Sequence, residues 1–263
     1  MVGFDIDKEF VPEMSGKKQF LYRLILSIQA FFFLAILESS GIGVVNNLSF
    51  DLYSQQHGLS NNQIHCVLQD KKGWIWIATS QGICRFDGYR FTVFKNDPDD
   101  STSLKGNLVR VIYEDSKGQL FIGTENGGLN KFNREKESFQ HIFYKGDSTQ
   151  LKDVSITSIM EDRLGNLWVG TETILFRIDK DNKLSTIKPL NFPVFSEYFR
   201  VIRQDQSGKV WIGTNSGLFI YHPETNLAEK VRLKNTPGTD EIWEILTDHA
   251  GRTWIGTYAS GMF

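Results

Sequence analysis

Asp205-Gln-Ser-Gly-Lys-Val-Trp-Ile-Gly-Thr-Asn-Ser-Gly-Leu218 is one copy of a frame that occurs five times in the chain. The frame reads Asp-x-x-Gly-x-x-aromatic-apolar-small-Thr. Its glycines are Gly73, Gly118, Gly165, Gly208 and Gly251, so the steps are 45, 47, 43 and 43 residues. Three residues before each glycine stands Asp70, Asp115, Asp162, Asp205 or Asp248. Three after it comes the aromatic, Trp76, Phe121, Trp168, Trp211 or Trp254, and six after it Thr79, Thr124, Thr171, Thr214 or Thr257. A period of this size marks stacked supersecondary units that bury their apolar faces on one another.

The frame predicts the local structure. A short run rich in Val, Ile and Leu precedes each aspartate, as in Ile64–Leu68 and Ile156–Met160, and suits an inner strand covered on both faces. The aspartate accepts backbone N–H bonds in the turn, and the glycine supplies its positive φ. On the next strand the aromatic is a wedge between neighbouring units, with the small residue (Ala78, Gly123, Gly170, Gly213, Gly256) leaving room beside it. A third strand ("GICRFDG", "GLNKFNR", "GLFIYHP") and a fourth ("RFTVF", "SFQHIF") complete an antiparallel sheet. Four strands in 43–47 residues make one propeller blade. The expected fold is all-β, a β-propeller of four-stranded blades with the fifth repeat incomplete. Two local departures are expected. Ile174 replaces the turn glycine of the third repeat and reshapes that turn, and the fifth repeat has one extra residue before Gly261.

Composition agrees. Of 263 residues 40% are hydrophobic, enough for a sizeable core, and 23 glycines with 13% aromatics suit short strands and tight turns. A net charge of -2 leaves no cationic excess to neutralise phosphates, which argues against nucleic acid as a partner. Cys66 and Cys84 fall on the first and third strands of one blade. Two strand spacings, roughly 9–10 Å, exceed the roughly 7 Å that a disulfide spans, so both thiols are expected free.

Lys17, Lys18 and Arg23 lead into the apolar run Leu24–Leu37, followed by Ser39, Ser40 and Gly41. Residues 20–41 therefore read as a secretory signal peptide or an uncleaved anchor, and residues 1–19 as a leader. Asp5, Asp7, Glu9 and Glu13 are foreign to such a leader, so residues 1–13 read as a start-site artefact.

The five histidines, His57, His65, His141, His222 and His249, have no metal-ligand spacing. No nucleophile elbow or phosphate loop occurs, so neither a catalytic residue nor a cofactor is assigned. The adjacent acids Glu114-Asp115 and Glu161-Asp162 are expected to point to opposite faces, a solvated residue beside a turn cap. One position varies in chemistry rather than size. Eight residues before the turn glycine stand His65, Arg110, Thr157, Arg200 and Trp243, each after a mostly large apolar residue. Variation of that kind fits the mouth of a central channel. His65, Arg110, Arg200 and Trp243 are the candidate ligand-binding residues, with arginine and tryptophan suited to hydrogen bonding and stacking on an oligosaccharide. Ordinary inter-blade hydrogen bonding is the competing explanation.

The frame, extended to D-x-x-G-x-[IL]-W-[IV]-G-T-x-x-G-[IL]-x-x-[FY], resembles the two-component-regulator propeller repeat of hybrid sensor histidine kinases of Bacteroidetes-type bacteria. The stretch from Tyr53 to Leu104 is similar to the first blade of such sensors, and the likeness extends over residues 48–263. It implies a seven-bladed parent, commonly with a second propeller, then a β-sandwich, a membrane span, kinase and receiver domains and a DNA-binding helix-turn-helix. It further implies a periplasmic or inner-membrane-associated sensor region acting in a homodimer, reached by a small molecule or oligosaccharide. Kinase and receiver motifs are absent from these 263 residues, which end inside the fifth repeat, and a truncated product is expected. A propeller glycosidase or lyase, and a purely structural interaction propeller, are the alternatives.

Overall fold

The computed structural model describes residues 49–142, 153–188, 198–234 and 241–263. The chain divides into two compact units, Met1–Asp51 and Leu52–Phe263. The leader and the signal-like segment over residues 20–41 lie outside the described residues. Within those described, no helix is long and apolar enough to cross a membrane.

The second unit contains eighteen strands among its described residues. Blade 1 is β1 (Ile64–Gln69), β2 (Ile75–Thr79), β3 (Gly82–Phe86) and β4 (Phe91–Phe94). Blade 2 is β5 (Val109–Glu114), β6 (Leu120–Thr124), β7 (Gly128–Asn133) and β8 (Ser138–His141). Blade 3 is β9 (Ile156–Glu161), β10 (Leu167–Thr171), β11 (Leu175–Ile178) and β12 (Leu184–Ile187). Blade 4 is β13 (Phe199–Gln204), β14 (Val210–Thr214), β15 (Gly217–His222) and β16 (Leu227–Val231). Blade 5 contributes β17 (Ile242–Thr247) and β18 (Thr253–Thr257). Each is an antiparallel meander, and first strands touch in series, β1 on β5, β5 on β9, β9 on β13 and β13 on β17. The all-β propeller reading holds.

The repeated aspartate closes the first turn of every blade. Its Oδ1 accepts the N–H groups two and four residues on, at 2.7–3.1 Å, in all five copies. The repeated threonine closes the second turn, donating from Oγ1 to the carbonyl of Gly82, Gly128, Ile174, Gly217 or Gly261. The third blade is reshaped as expected. Thr79, Thr124 and Thr214 pair across the strands with glycine, whereas pairing in blade 3 starts at Gly170 with Leu175.

The aromatics are inter-blade wedges. Trp76 clusters with Leu120, Ile122 and Phe132 of blade 2, and Trp168 with Ile202, Ile212 and Tyr221 of blade 4. Both are fully buried, and each burial is worth about 1.5–3 kcal/mol or more. The small residue makes room elsewhere than expected. A Cβ on Gly123 would lie 2.7 Å from Ile156 Cγ2, one on Gly170 2.8 Å from Phe199 Cβ, and one on Gly213 2.6 Å from Ile242 Cγ2. The space is filled by the blade's own inner strand (Val111, Ser158, Val201) together with the first residue of the next blade's inner strand, not by the aromatic. Where the small residue is Ala78, the incoming residue is the smaller Val109.

Other expectations fail locally. Residues 49–53, ahead of the first repeat, form no strand. Inner strands β9 and β13 are largely buried, but β1 exposes Ile64 and Val67, because among the described residues no strand covers its far side. Both cysteines are free, Cys84 buried beside Ser60.

Candidate ligand site at the channel mouth

Each inner strand breaks register with its partner at the same place. Pairing skips a residue between Ile64 and Cys66, between Val109 and Val111, at Gly170/Thr171 opposite Ile156 and Ser158, between Phe199 and Val201, and between Ile242 and Glu244. The extra residues are His65, Arg110, Thr157, Arg200 and Trp243. All five candidate positions are β-bulges, which leave a residue outside the ladder and re-aim its side chain.

His65, Arg110, Thr157 and Arg200 line one cavity of about 740 Å³ running along the inner strands of blades 1 to 4. Trp243 does not line it and stands beside it, half exposed. His65 Nε2 lies 2.9 Å from Ser80 Oγ, and Thr157 Oγ1 donates to the Phe199 carbonyl at 2.6 Å. Arg110 pairs with Glu125 through Nη2, and Arg200 Nη2 donates to Glu241 Oε2 at 2.8 Å. The Arg200 guanidinium also lies 4.6 Å from the ring centroid of Trp243 and 4.7 Å from that of Tyr198. Trp243 stacks on exposed Tyr258, with centroids 5.8 Å apart and an interplanar angle of 21°.

Arg110 and Arg200 at the mouth are each balanced by one carboxylate. Burial pushes the His65 imidazole below its ordinary value, Arg110 adds to that and Glu125 opposes it, so the ring is neutral at pH 7. Burial pushes the Tyr198 hydroxyl up, with Arg110 and Arg200 opposing. No group of three or more His, Cys, Asp or Glu among the described residues could hold a metal ion.

The sequence reading missed Glu125, Glu241, Tyr198 and Tyr258, which come from turns and inter-blade connections outside the frame. It also misread Glu114 and Glu161. Glu114 is almost wholly covered, accepts the Lys71 N–H at 2.8 Å and pairs with Arg134, while Glu161 accepts the N–H of Ser116 at 2.6 Å. Both tie adjacent blades together; Glu114 is covered, whereas Glu161 stays partly exposed.

Residues 58–81, 103–126 and 150–173 match the family described as two component regulator propeller. Over 81 residues, 30% of this chain, the sequence is 36% identical to Histidine kinase P4 of Formosa agariphila, of which it spans 6%. The extracellular domain of BT3049 from B. thetaiotaomicron, assigned as a hybrid two-component system, superposes with a TM-score of 0.70 at 28% identity. The match covers 81% of this chain and 30% of that one. A streptogramin B lyase structure superposes at 0.56 with 16% identity over 75% of this chain and 63% of its own, a likeness of fold alone.

Proposed function

We propose that this chain, three of whose blades are two-component regulator propeller repeats, is the exported ligand-sensing portion of a longer two-component signalling protein. The observation that carries the reading is the repeated bulge. Five blades of one design each hold one residue outside the strand ladder, and those five residues are of four kinds, four of them lining one cavity and Trp243 standing beside it. A structural ring would repeat one residue; a recognition surface needs several.

The chemistry of that surface favours a neutral, polyhydroxylated ligand, an oligosaccharide first. Arginines already balanced by Glu125 and Glu241 offer N–H groups without net attraction for anions, and the Trp243–Tyr258 stack offers an aromatic face. Sensing is favoured over lyase or glycosidase chemistry because Glu125, Glu241 and Glu244 are each held by an arginine and Glu161 by the backbone N–H and hydroxyl of Ser116. In the longer parent, ligand binding shifts the geometry of a homodimer in the periplasm, with residues 20–41 directing export or anchoring. Likeness to an extracellular domain supports the export.

Titration of the 263-residue chain with a panel of neutral oligosaccharides tests this reading. Saturable binding that weakens at least tenfold in Arg200→Ala and Trp243→Ala is expected. The proposal fails if no oligosaccharide binds, or if binding is indifferent to both changes in variants that melt like the parent.

A further inference from the structure

Arg134 shows what the seam between two blades can hold. From the turn after β7, its guanidinium donates through Nη1 to Asp70 Oδ2 at 2.7 Å, through Nη2 to Glu114 Oε1 at 2.8 Å and through Nε to the Gly118 carbonyl at 3.2 Å. The repeat places the same three acceptors one blade further on, as Asp115, Glu161 and Gly165. The glutamate and glycine are disposed alike at the two seams, with Glu161 Oε1 also accepting the Ser116 hydroxyl at 2.9 Å. A Cβ built on Gly118 would lie 3.7 Å from Glu114 Oε1, and one on Gly165 4.0 Å from Glu161 Oε1.

At this second seam the guanidinium is missing. In the other four blades the tryptophan donates from Nε1 to the aspartate Oδ2 at 2.8–3.0 Å. Here Phe121 takes its place and has nothing to donate. Asp115 is 7% exposed, and both of its side-chain hydrogen bonds, from Lys117 N–H and Gln119 N–H, go to Oδ1. Among the described residues Oδ2 has no donor. By the strand register Lys180 occupies the position of Arg134, yet it is exposed and pairs with no carboxylate among the described residues. A cavity of about 530 Å³ lies over Asp115, Phe121, Glu161 and Gly165.

We propose that this groove binds an alkyl guanidinium, the head group of an arginine side chain. A planar fork reaches the three acceptors together, whereas an ammonium ion is a single point charge. Net attraction cannot explain selectivity here, because Lys117, Lys131 and Lys180 offset Asp115, Glu161 and Asp179 around the groove. Discrimination rests on the geometry that the Arg134 seam already displays.

Titration of the whole chain with methylguanidinium, followed by NMR or calorimetry, tests the site. Saturable binding is expected, with methylammonium at least tenfold weaker. Phe121→Trp restores the indole donor and Lys180→Arg supplies the guanidinium from within, so each should weaken methylguanidinium at least tenfold. Trp243→Ala should leave it unchanged, which separates this site from the channel mouth. L-arginine and an arginine-containing tripeptide form the second arm. Preference for the free amino acid upholds the site with a small-molecule ligand, and preference for the peptide upholds it with an arginine presented by a protein. No methylguanidinium binding, equal binding of methylammonium, or binding indifferent to both filling substitutions would overturn the proposal. Lys180 lies in an exposed turn, so its variant remains informative even if Phe121→Trp alters folding.

Discussion

Asp205 shows how a few atoms define the repeat. One carboxylate oxygen gathers two backbone N–H groups and the Ser207 hydroxyl, while the other accepts the Trp211 indole at 2.8 Å. Burial alone would raise its pKa; the bonds from Ser207 and Trp211 outweigh that and hold it below the ordinary aspartate range. Asp70 is held low in the same way, by Arg134 and Trp76 against burial. A depressed folded-state pKa contributes stability that is present above the unfolded value, about 3.9, and disappears as the pH falls through the folded value. Denaturant midpoints measured from pH 6 down to pH 2 should therefore decline below pH 4, with a smaller decline in Asp70→Asn. Trp211→Phe removes the one donor that Asp205 Oδ2 has among the described residues, copying what Phe121 does naturally. It should cost about 1.5–3 kcal/mol, the range for a hydrogen bond to a charged group, and should raise the Asp205 pKa as followed by NMR. Trp168→Ala, which deletes a buried wedge and its bond to Asp162, should cost about 3–5 kcal/mol.

Between elements, fit is decided by pairs of residues from consecutive blades. Gly213 receives Ile242 with no space for a methyl group, so Gly213→Ala should destabilise by about 1–3 kcal/mol through overpacking. Ile242→Ala removes the Cγ2 that the new methyl group meets, so it should cost less in the Gly213→Ala background than alone, and a double-mutant cycle from urea melts would measure the coupling. Such pairs also mark where sequence reading stops. The spacing of Asp70, Gly73, Trp76 and Thr79 exposes the strands and turns, since those contacts lie within a few residues. The aspartate-to-indole bond is equally local, at a spacing of six residues that Phe121 interrupts in one repeat. Glu114 and Glu161 were misjudged because their partners, Lys71 and Ser116, lie 43 and 45 residues earlier on another blade. The bulge at His65, Arg110, Thr157, Arg200 and Trp243 has no residue signature at all. Only the pairing of strands reveals it, although chemical variety at that position had already drawn attention there.

For the propeller unit as a whole, cohesion runs along the series of blades. Among the described residues the main contacts between blades run from each inner strand to the blade before and the blade after it, so stability should follow nearest-neighbour rules. Blades 2, 3 and 4 are flanked on both sides, whereas β1 exposes Ile64 and Val67 and β17 exposes Leu246. Native-state hydrogen exchange on the full chain should find the slowest amides in β6, β10 and β14 and markedly faster ones in β1 and β17. Uniform protection across all five blades would instead show that the unit opens as one body.

The bulges bear on how such a protein can change over generations. A residue outside the ladder contributes little to sheet pairing, so mutation there is cheap for folding while the flanking residues, such as Val109 and Val111, remain constrained by the seam. Duplication of a blade then copies a tolerant scaffold with one freely editable position, and new specificities can be drawn by drift at a handful of codons without renegotiating the core.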